Sequence, residues 1–142
     1  MYGLEGKVAL VTGAGGENGI GRGIATRLAR EGADVVVNDL TINPYDDRPG
    51  AWGGVTQVVE EIRAMGRKSA AITADVSNSA QVQAMVDQTI EQFGRIDILV
   101  NNAGSRPGGD RKLVVDVTEE DFDLVQRVNL KGTFLVSQAV AR

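Results

Sequence analysis

Apolar residues along this chain follow two alternating patterns. Lys7 to Thr12 (KVALVT), Asp34 to Asn38 ending at Asp39, Lys68 to Val76 (KSAAITADV) and Ile96 to Val100 are short β-rich runs without polar alternation. Such runs predict strands buried on both faces. Between them, apolar residues recur three and four apart. Ile20, Ile24 and Leu28, widened by Ala25 and Ala29, predict an amphipathic helix stopped by Gly32. Val55, Val58, Val59, Ile62 and Met65 predict a second, stopped by Gly66. Val82, Val86, Ile90 and Phe93 predict a third, opened by a capping box at Asn78-x-x-Gln81 and ended by Gly94. Thr118-x-x-Asp121 can cap a last helix, with Phe122, Val125, Val128, Asn129, Gly132 and Val136 on its inner side.

Strands and helices therefore alternate four times. That order predicts an α/β fold: a doubly wound parallel sheet with helices on both faces. Right-handed crossovers favour the strand order 3-2-1-4, with the switch point between the first and fourth strands. No repeat or linker divides the 142 residues, so one domain spans residues 1–142. Residues 41–53 (TINPYDDRPGAWG) form a polar loop long enough to expect a function or mobility.

Composition narrows the chemistry by exclusion. Cysteine and histidine are absent, which removes Cys/His zinc sites, disulfides and His-dependent nucleophilic catalysis. The net charge is −4 and no basic stripe occurs, so nucleic acid is not an expected partner. No apolar run has the length of a signal peptide or membrane span. The expectation is a soluble cytoplasmic protein without a membrane partner.

One stretch is chemically distinctive. In "LVTGAGGENGIGRG" (Leu10 to Gly23), six glycines fall within eleven residues, between the first strand and the first helix. A helix N-terminus presents unpaired N–H groups and a partial positive charge, suited to a pyrophosphate if the backbone can come close. Gly13 would permit the tight turn, Gly19 the close approach and Gly21 the packing of helix on strand. Asp39 lies twenty residues after Gly19 at the tip of the second strand, where a carboxylate can accept hydrogen bonds from ribose hydroxyls and repel a 2′-phosphate. No Lys or Arg lies between Gly13 and Gly19, and Arg22 should project from the helix's first turn. NAD is thus favoured over NADP, which remains possible. The spacing fits neither G-x-G-x-x-G nor a phosphate-loop NTPase.

Four pieces in order resemble the short-chain dehydrogenases/reductases. Thr12-Gly13 with Gly19-Ile20-Gly21 resembles that family's TGxxxGxG loop, and Asp75-Val76 its adenine-binding Asp-Val. Asn101-Asn102-Ala103-Gly104 resembles its NNAG signature, and Asn129 the helix Asn of its Asn-Ser-Tyr-Lys tetrad. The resemblance implies a Rossmann-type sheet, truncated after the fourth strand and following helix. It also implies NAD(P)-dependent hydride transfer between nicotinamide and an alcohol or ketone. It assigns Gly13, Asn18, Gly19, Ile20, Gly21, Asp39, Leu40, Asp75, Val76, Asn102, Ala103 and Gly104 to the cofactor. It assigns Asn129 to a proton relay, on a locally distorted helix whose Asn carbonyl holds a water. It has Asn101 stitch neighbouring strands, while Ala103 and Gly104 leave room beside the ribose. Bland readings stay open: Asp75 as a turn residue, the asparagines as turn formers, and a structural partner for Asn129.

Two departures accompany the resemblance. Five residues separate Gly13 from Gly19 where the pattern has three, and Glu17-Asn18 reads as the insertion, expected to bulge outward. The catalytic Ser and Tyr-x-x-x-Lys are missing: the only tyrosines are Tyr2 and Tyr45, and four residues on lie Gly6 and Pro49. The chain alone is therefore expected to be inactive, and the natural protein longer or covered by another chain at the fourth-strand edge. Val114, Val115 and the last helix would add apolar surface for a homo-oligomer. Arg106 to Lys112 reads as a solvated loop or one wall of a substrate pocket. Two other functions stay open: a non-catalytic dinucleotide-binding fragment and a class I methyltransferase. The latter usually has an acidic residue where this chain has Thr12, and gives no reason for NNAG.

Overall fold

Side chains of a strand point alternately to opposite faces, so an apolar strand needs cover on both. In the computed structural model, which describes residues 3–47, 50–106 and 108–142, the two central strands receive it along their length and the two edge strands in part. They are β1 (Val8–Val11), β2 (Asp34–Asp39), β3 (Ser69–Thr73) and β4 (Ile98–Val100), all parallel in the order β3-β2-β1-β4. Val8 pairs with Asp34, Val35 with Ser69, and Ala9 with Ile98. Tyr2, and Pro49 four residues after Tyr45, lie outside the described residues, as does Pro107 of the 106–112 loop.

Ala9, Val11, Val35 and Val37 face α1 (Ile20–Arg30) and α2 (Val55–Ala64), where Ala25, Ala29, Val55, Val58, Val59 and Ile62 are buried. Leu10, Val36 and Ile72 face α3 (Ser79–Phe93) and α5 (Gly132–Ala141) through Val82, Met85 and Val136. Between α3 and α5 lie a 3-10 turn (Val114–Asp116), α4 (Glu119–Val125) and a π-helical segment (Gln126–Lys131). Among the described residues, no helix is long and apolar enough to cross a membrane.

The buried faces depart from the expected stripes in three places. On α1, Ile20 is 76% exposed, and the buried line is Gly21, Ala25 and Ala29, because the helix approaches the sheet too closely for longer side chains. On α3, Ile90 is exposed and Phe93 half-buried, while Met85 and Thr89 are buried with Val82 and Val86. Steps of four overrun a helical turn by about 40°, so the third member of such a row has rotated off the face. The last helix is not one helix: π-helical widening resets its phase, leaving Gly132 and Val136 buried while Phe122 and Asn129 are exposed. The capping box at α3 is half formed. Asn78 Oδ1 accepts from Gln81 N–H at 3.1 Å, but the Gln81 side chain accepts from Asp75 N–H at 2.8 Å. Thr118 caps α4 as expected, accepting from Asp121 N–H at 3.1 Å.

Candidate functional site

At the C-terminal ends of the strands, the chain leaves β1 at Gly13, β2 at Asp39, β3 towards Asp75 and β4 at Asn102. These ends enclose a crevice of about 980 Å³. Gly13, Gly19, Ile20, Asp39, Leu40, Asp75, Val76, Asn102, Ala103 and Gly104 all line it. Ten residues spread over ninety positions of sequence are thus brought to one place. Gly21 sits just behind, Asn129 reaches the site through Ser105, and Asn18 is not brought in. Asn18 is exposed beside Glu17 and lines an outer hollow.

Two glycines set how closely the elements meet. Gly13 has φ +64°, and a Cβ there would lie 2.6 Å from the Ala103 Cα. A Cβ on Gly21 would lie 2.5 Å from Asn102 Nδ2 and 2.6 Å from the Gly13 carbonyl oxygen. No side chain caps α1, and among the described residues the N–H groups of Ile20, Gly21 and Arg22 have no protein partner. Glu17, the charge most damaging to an anion here, is exposed and does not line the crevice. The enlarged loop bulges outward while Gly13 and Gly19 stay in the lining.

Asp39 closes the opposite side. Its Oδ2 accepts from Gly15 N–H at 2.8 Å and its Oδ1 from Leu40 N–H at 2.8 Å. Each oxygen keeps a second lone pair. Asn38 lines the crevice floor: its amide donates to the Ile72 carbonyl at 3.0 Å and the Ala74 carbonyl at 3.3 Å. Its Oδ1 is buried and, among the described residues, has no partner, leaving an orphaned acceptor in that floor. Asp75 turns the chain, its Oδ1 accepting from Ser77 N–H at 2.8 Å and Ser77 Oγ at 2.7 Å.

The strand-stitching residue is Asn102 rather than Asn101. Asn102 Nδ2 donates to the carbonyls of Thr12 (2.9 Å) and Gly13 (2.8 Å), joining the ends of β1 and β4. Asn101 instead donates to Ser137 Oγ on α5 at 2.9 Å. Asn101 and Asn102 point to opposite sides of an extended backbone, so one residue decides which of the two reaches β1. Asn129, on the π-helical segment, accepts from Ser105 N–H through Oδ1 at 2.8 Å, and its carbonyl accepts from Thr133 Oγ1 at 2.8 Å. The local distortion expected of this helix is therefore present.

Sequence reasoning missed what residues 41–54 do. Asn43, Pro44, Tyr45 and Asp46 line the crevice, and Arg106 from the loop after β4 faces them. The Arg106 guanidinium lies 4.6 Å from the Tyr45 ring centroid and 3.2 Å from Asp47 Oδ1. Arg22 is turned away, forking onto Glu61 through Nε (3.0 Å) and Nη2 (2.8 Å). That hydrogen bond to Glu61 raises the Arg22 pKa above its ordinary value, against the opposing effect of burial. The length and polarity of the loop were the signals available; its contacts are not encoded in any periodicity.

An uncapped helix end suits an anion, two flanking carboxylates suit hydroxyl and amino donors, and the glycines leave the backbone accessible. The arrangement fits an adenine dinucleotide. Among the described residues, no cluster of acidic side chains suits a metal ion.

Comparison with known proteins agrees with this geometry. A family model described as short chain dehydrogenase matches residues 7–142. Versicolorin reductase 1 of Dothistroma septosporum is 46% identical over 139 residues, covering 98% of this chain and 48% of its own. Cyclohexanol dehydrogenase of Rhodococcus sp. is 42% identical over 142 residues, covering 97% and 52%. The crystal structure of an NAD+-bound xylitol dehydrogenase matches with a TM-score of 0.80 at 34% identity, over 98% of this chain and 48% of that one. The chain spans about half the length of the curated relatives it matches.

Proposed function

This chain belongs to the short-chain dehydrogenase family, and from that premise we propose that residues 1–142 are the dinucleotide-binding portion of an NAD-dependent oxidoreductase. One observation carries the reading: the uncapped start of α1 and the Asp39 carboxylate line the same crevice. The N–H groups at the start of α1 would hold the diphosphate, and Gly13, Gly19 and Gly21 keep side chains out of its way. Asp39, with Leu40 beside it, would take the adenosine ribose. Asp75 and Val76 would border the adenine, while Asn102, Ala103 and Gly104 would border the nicotinamide ribose. When bound, the nicotinamide supplies the hydride acceptor or donor for an alcohol or ketone carbon.

NAD is preferred to NADP for two reasons of charge. The Asp39 carboxylate would repel a 2′-phosphate, and Arg22, a nearby cation, is committed to Glu61. The proton chemistry is a separate matter. Tyr45 stands at the crevice mouth under Arg106, with no lysine four residues on. Asn129 keeps its relay role in this reading only with residues that these 142 do not include. Leu113, Val114, Val115, Phe122 and Phe134, all exposed, would contact further polypeptide, either the same chain or a second copy.

A second reading of these residues is a dinucleotide-binding module without catalysis of its own. Both readings make the same binding prediction. Calorimetric titration should show saturable NADH binding, weaker NADPH binding, and about tenfold loss of NADH affinity on Asp39→Ala. Tight binding of S-adenosylmethionine with none of NADH would overturn both.

A further inference from the structure

The enlarged glycine loop poses a physical problem. Flexible glycine backbone binds an anion well only if its N–H groups are held in place beforehand. The loop has few bonds of its own, the Gly19 N–H to Gly16 carbonyl contact of 3.1 Å being one. Its bracing comes from outside. Trp52 Nε1 donates to the Gly15 carbonyl at 2.7 Å, and Arg22 Nη1 donates to the Glu17 carbonyl at 2.6 Å. The two braces are joined, because the Arg22 guanidinium lies 4.8 Å from the Trp52 ring centroid. Trp52 is itself anchored, its carbonyl accepting from Asn43 Nδ2 at 2.6 Å.

Peptide planarity turns these contacts into orientation. In a trans peptide the N–H points opposite to the preceding carbonyl. Holding the Gly15 carbonyl on Trp52 therefore directs the Gly16 N–H away from Trp52. Holding the Glu17 carbonyl on Arg22 does the same for the Asn18 N–H. Among the described residues, neither N–H has a protein partner. The braces also engage two carbonyl oxygens that would otherwise repel an anion.

We propose that Trp52 is a positioning residue: with Arg22 it clamps the enlarged glycine loop in the conformation that receives the dinucleotide's diphosphate. The proposal rests on the dinucleotide reading above and adds a residue 31 positions beyond Gly21, the last glycine of the motif. It makes the long loop after β2 part of the diphosphate site, compensating for the Glu17-Asn18 insertion.

The test compares ligands with and without a diphosphate. Trp52→Phe keeps the ring but removes the Nε1 donor; Arg22→Lys keeps a charge for Glu61 but loses the fork and the hold on Glu17. Each variant is titrated with NADH, ADP and adenosine, with its unfolding midpoint recorded. The expected result is about tenfold weaker NADH and ADP binding with adenosine binding unchanged. Equal weakening of all three would make the clamp merely structural and overturn the proposal. So would NADH affinity at the wild-type level in both variants. A wild-type chain that binds neither NADH nor ADP overturns the dinucleotide reading and the clamp with it. Should Trp52→Phe fail to fold, Arg22→Lys alone decides.

Discussion

Asp39 and Asp97 are both carboxylates at strand ends, and both accept backbone N–H groups. Asp39, at the C-terminal end of β2, splits its oxygens between Gly15 and Leu40 and faces the crevice. Asp97 precedes β4 at the opposite end of the sheet, where its Oδ2 accepts from Val8 N–H at 2.9 Å. Arg95 forks onto Asp97, and Lys7 lies 3.7 Å away. The Arg95 hydrogen bond, then the Val8 N–H, hold the Asp97 carboxyl below its usual value. A carboxyl depressed in the folded state stabilises the fold above its unfolded pKa of about 4, and that contribution is lost as pH falls through the folded value. Chemical unfolding across the acidic range should show wild-type stability falling below about pH 4, with a flatter acid limb for Asp97→Asn. Identical acid limbs would contradict this role.

At the scale of elements, α1 shows how the fold makes its site. Its buried line is Gly21, Ala25 and Ala29, small residues that let the helix start close to the ends of β1 and β4. Gly21→Ala would put a methyl 2.5 Å from Asn102 Nδ2 and 2.6 Å from the Gly13 carbonyl. The expected cost is about 1–3 kcal/mol in urea unfolding, with weaker NADH binding as α1 is pushed off Gly13. Unchanged stability would contradict the packing argument. The strands and their order were legible in the sequence because apolar runs and crossover rules are local and general. Val55, Val58, Val59 and Ile62 on α2 were legible for the same reason. Ile20 was misread because nothing in a helical period says how near the sheet lies. A local distortion of this helix was expected from resemblance, but its π-helical form at Gln126–Lys131 was not, and periodicity ran Phe122 through Val136 as one face. The Trp52 and Arg22 contacts tie a distant loop and a helix to the glycine loop, where no pattern exists to read.

At the scale of the molecule, two loops meet across the crevice. Tyr45 and Asp47 come from the segment after β2, and Arg106 comes from the loop after β4. Arg106 and Asp47 are both well exposed, so their ion pair contributes about 0–1 kcal/mol at most and a ligand can part it. Away from the crevice, Val114 and Val115 are 86% and 83% exposed, and β4 ends the sheet. The crevice and this apolar face are separate surfaces, so a single experiment can tell which of them a dinucleotide chooses. Amide chemical-shift mapping of the chain with NADH is that experiment. The account predicts the largest shifts at Gly15, Gly16, Gly19 to Arg22 and Leu40. Shifts confined to residues 113–122, or no shifts at saturating NADH, would contradict it.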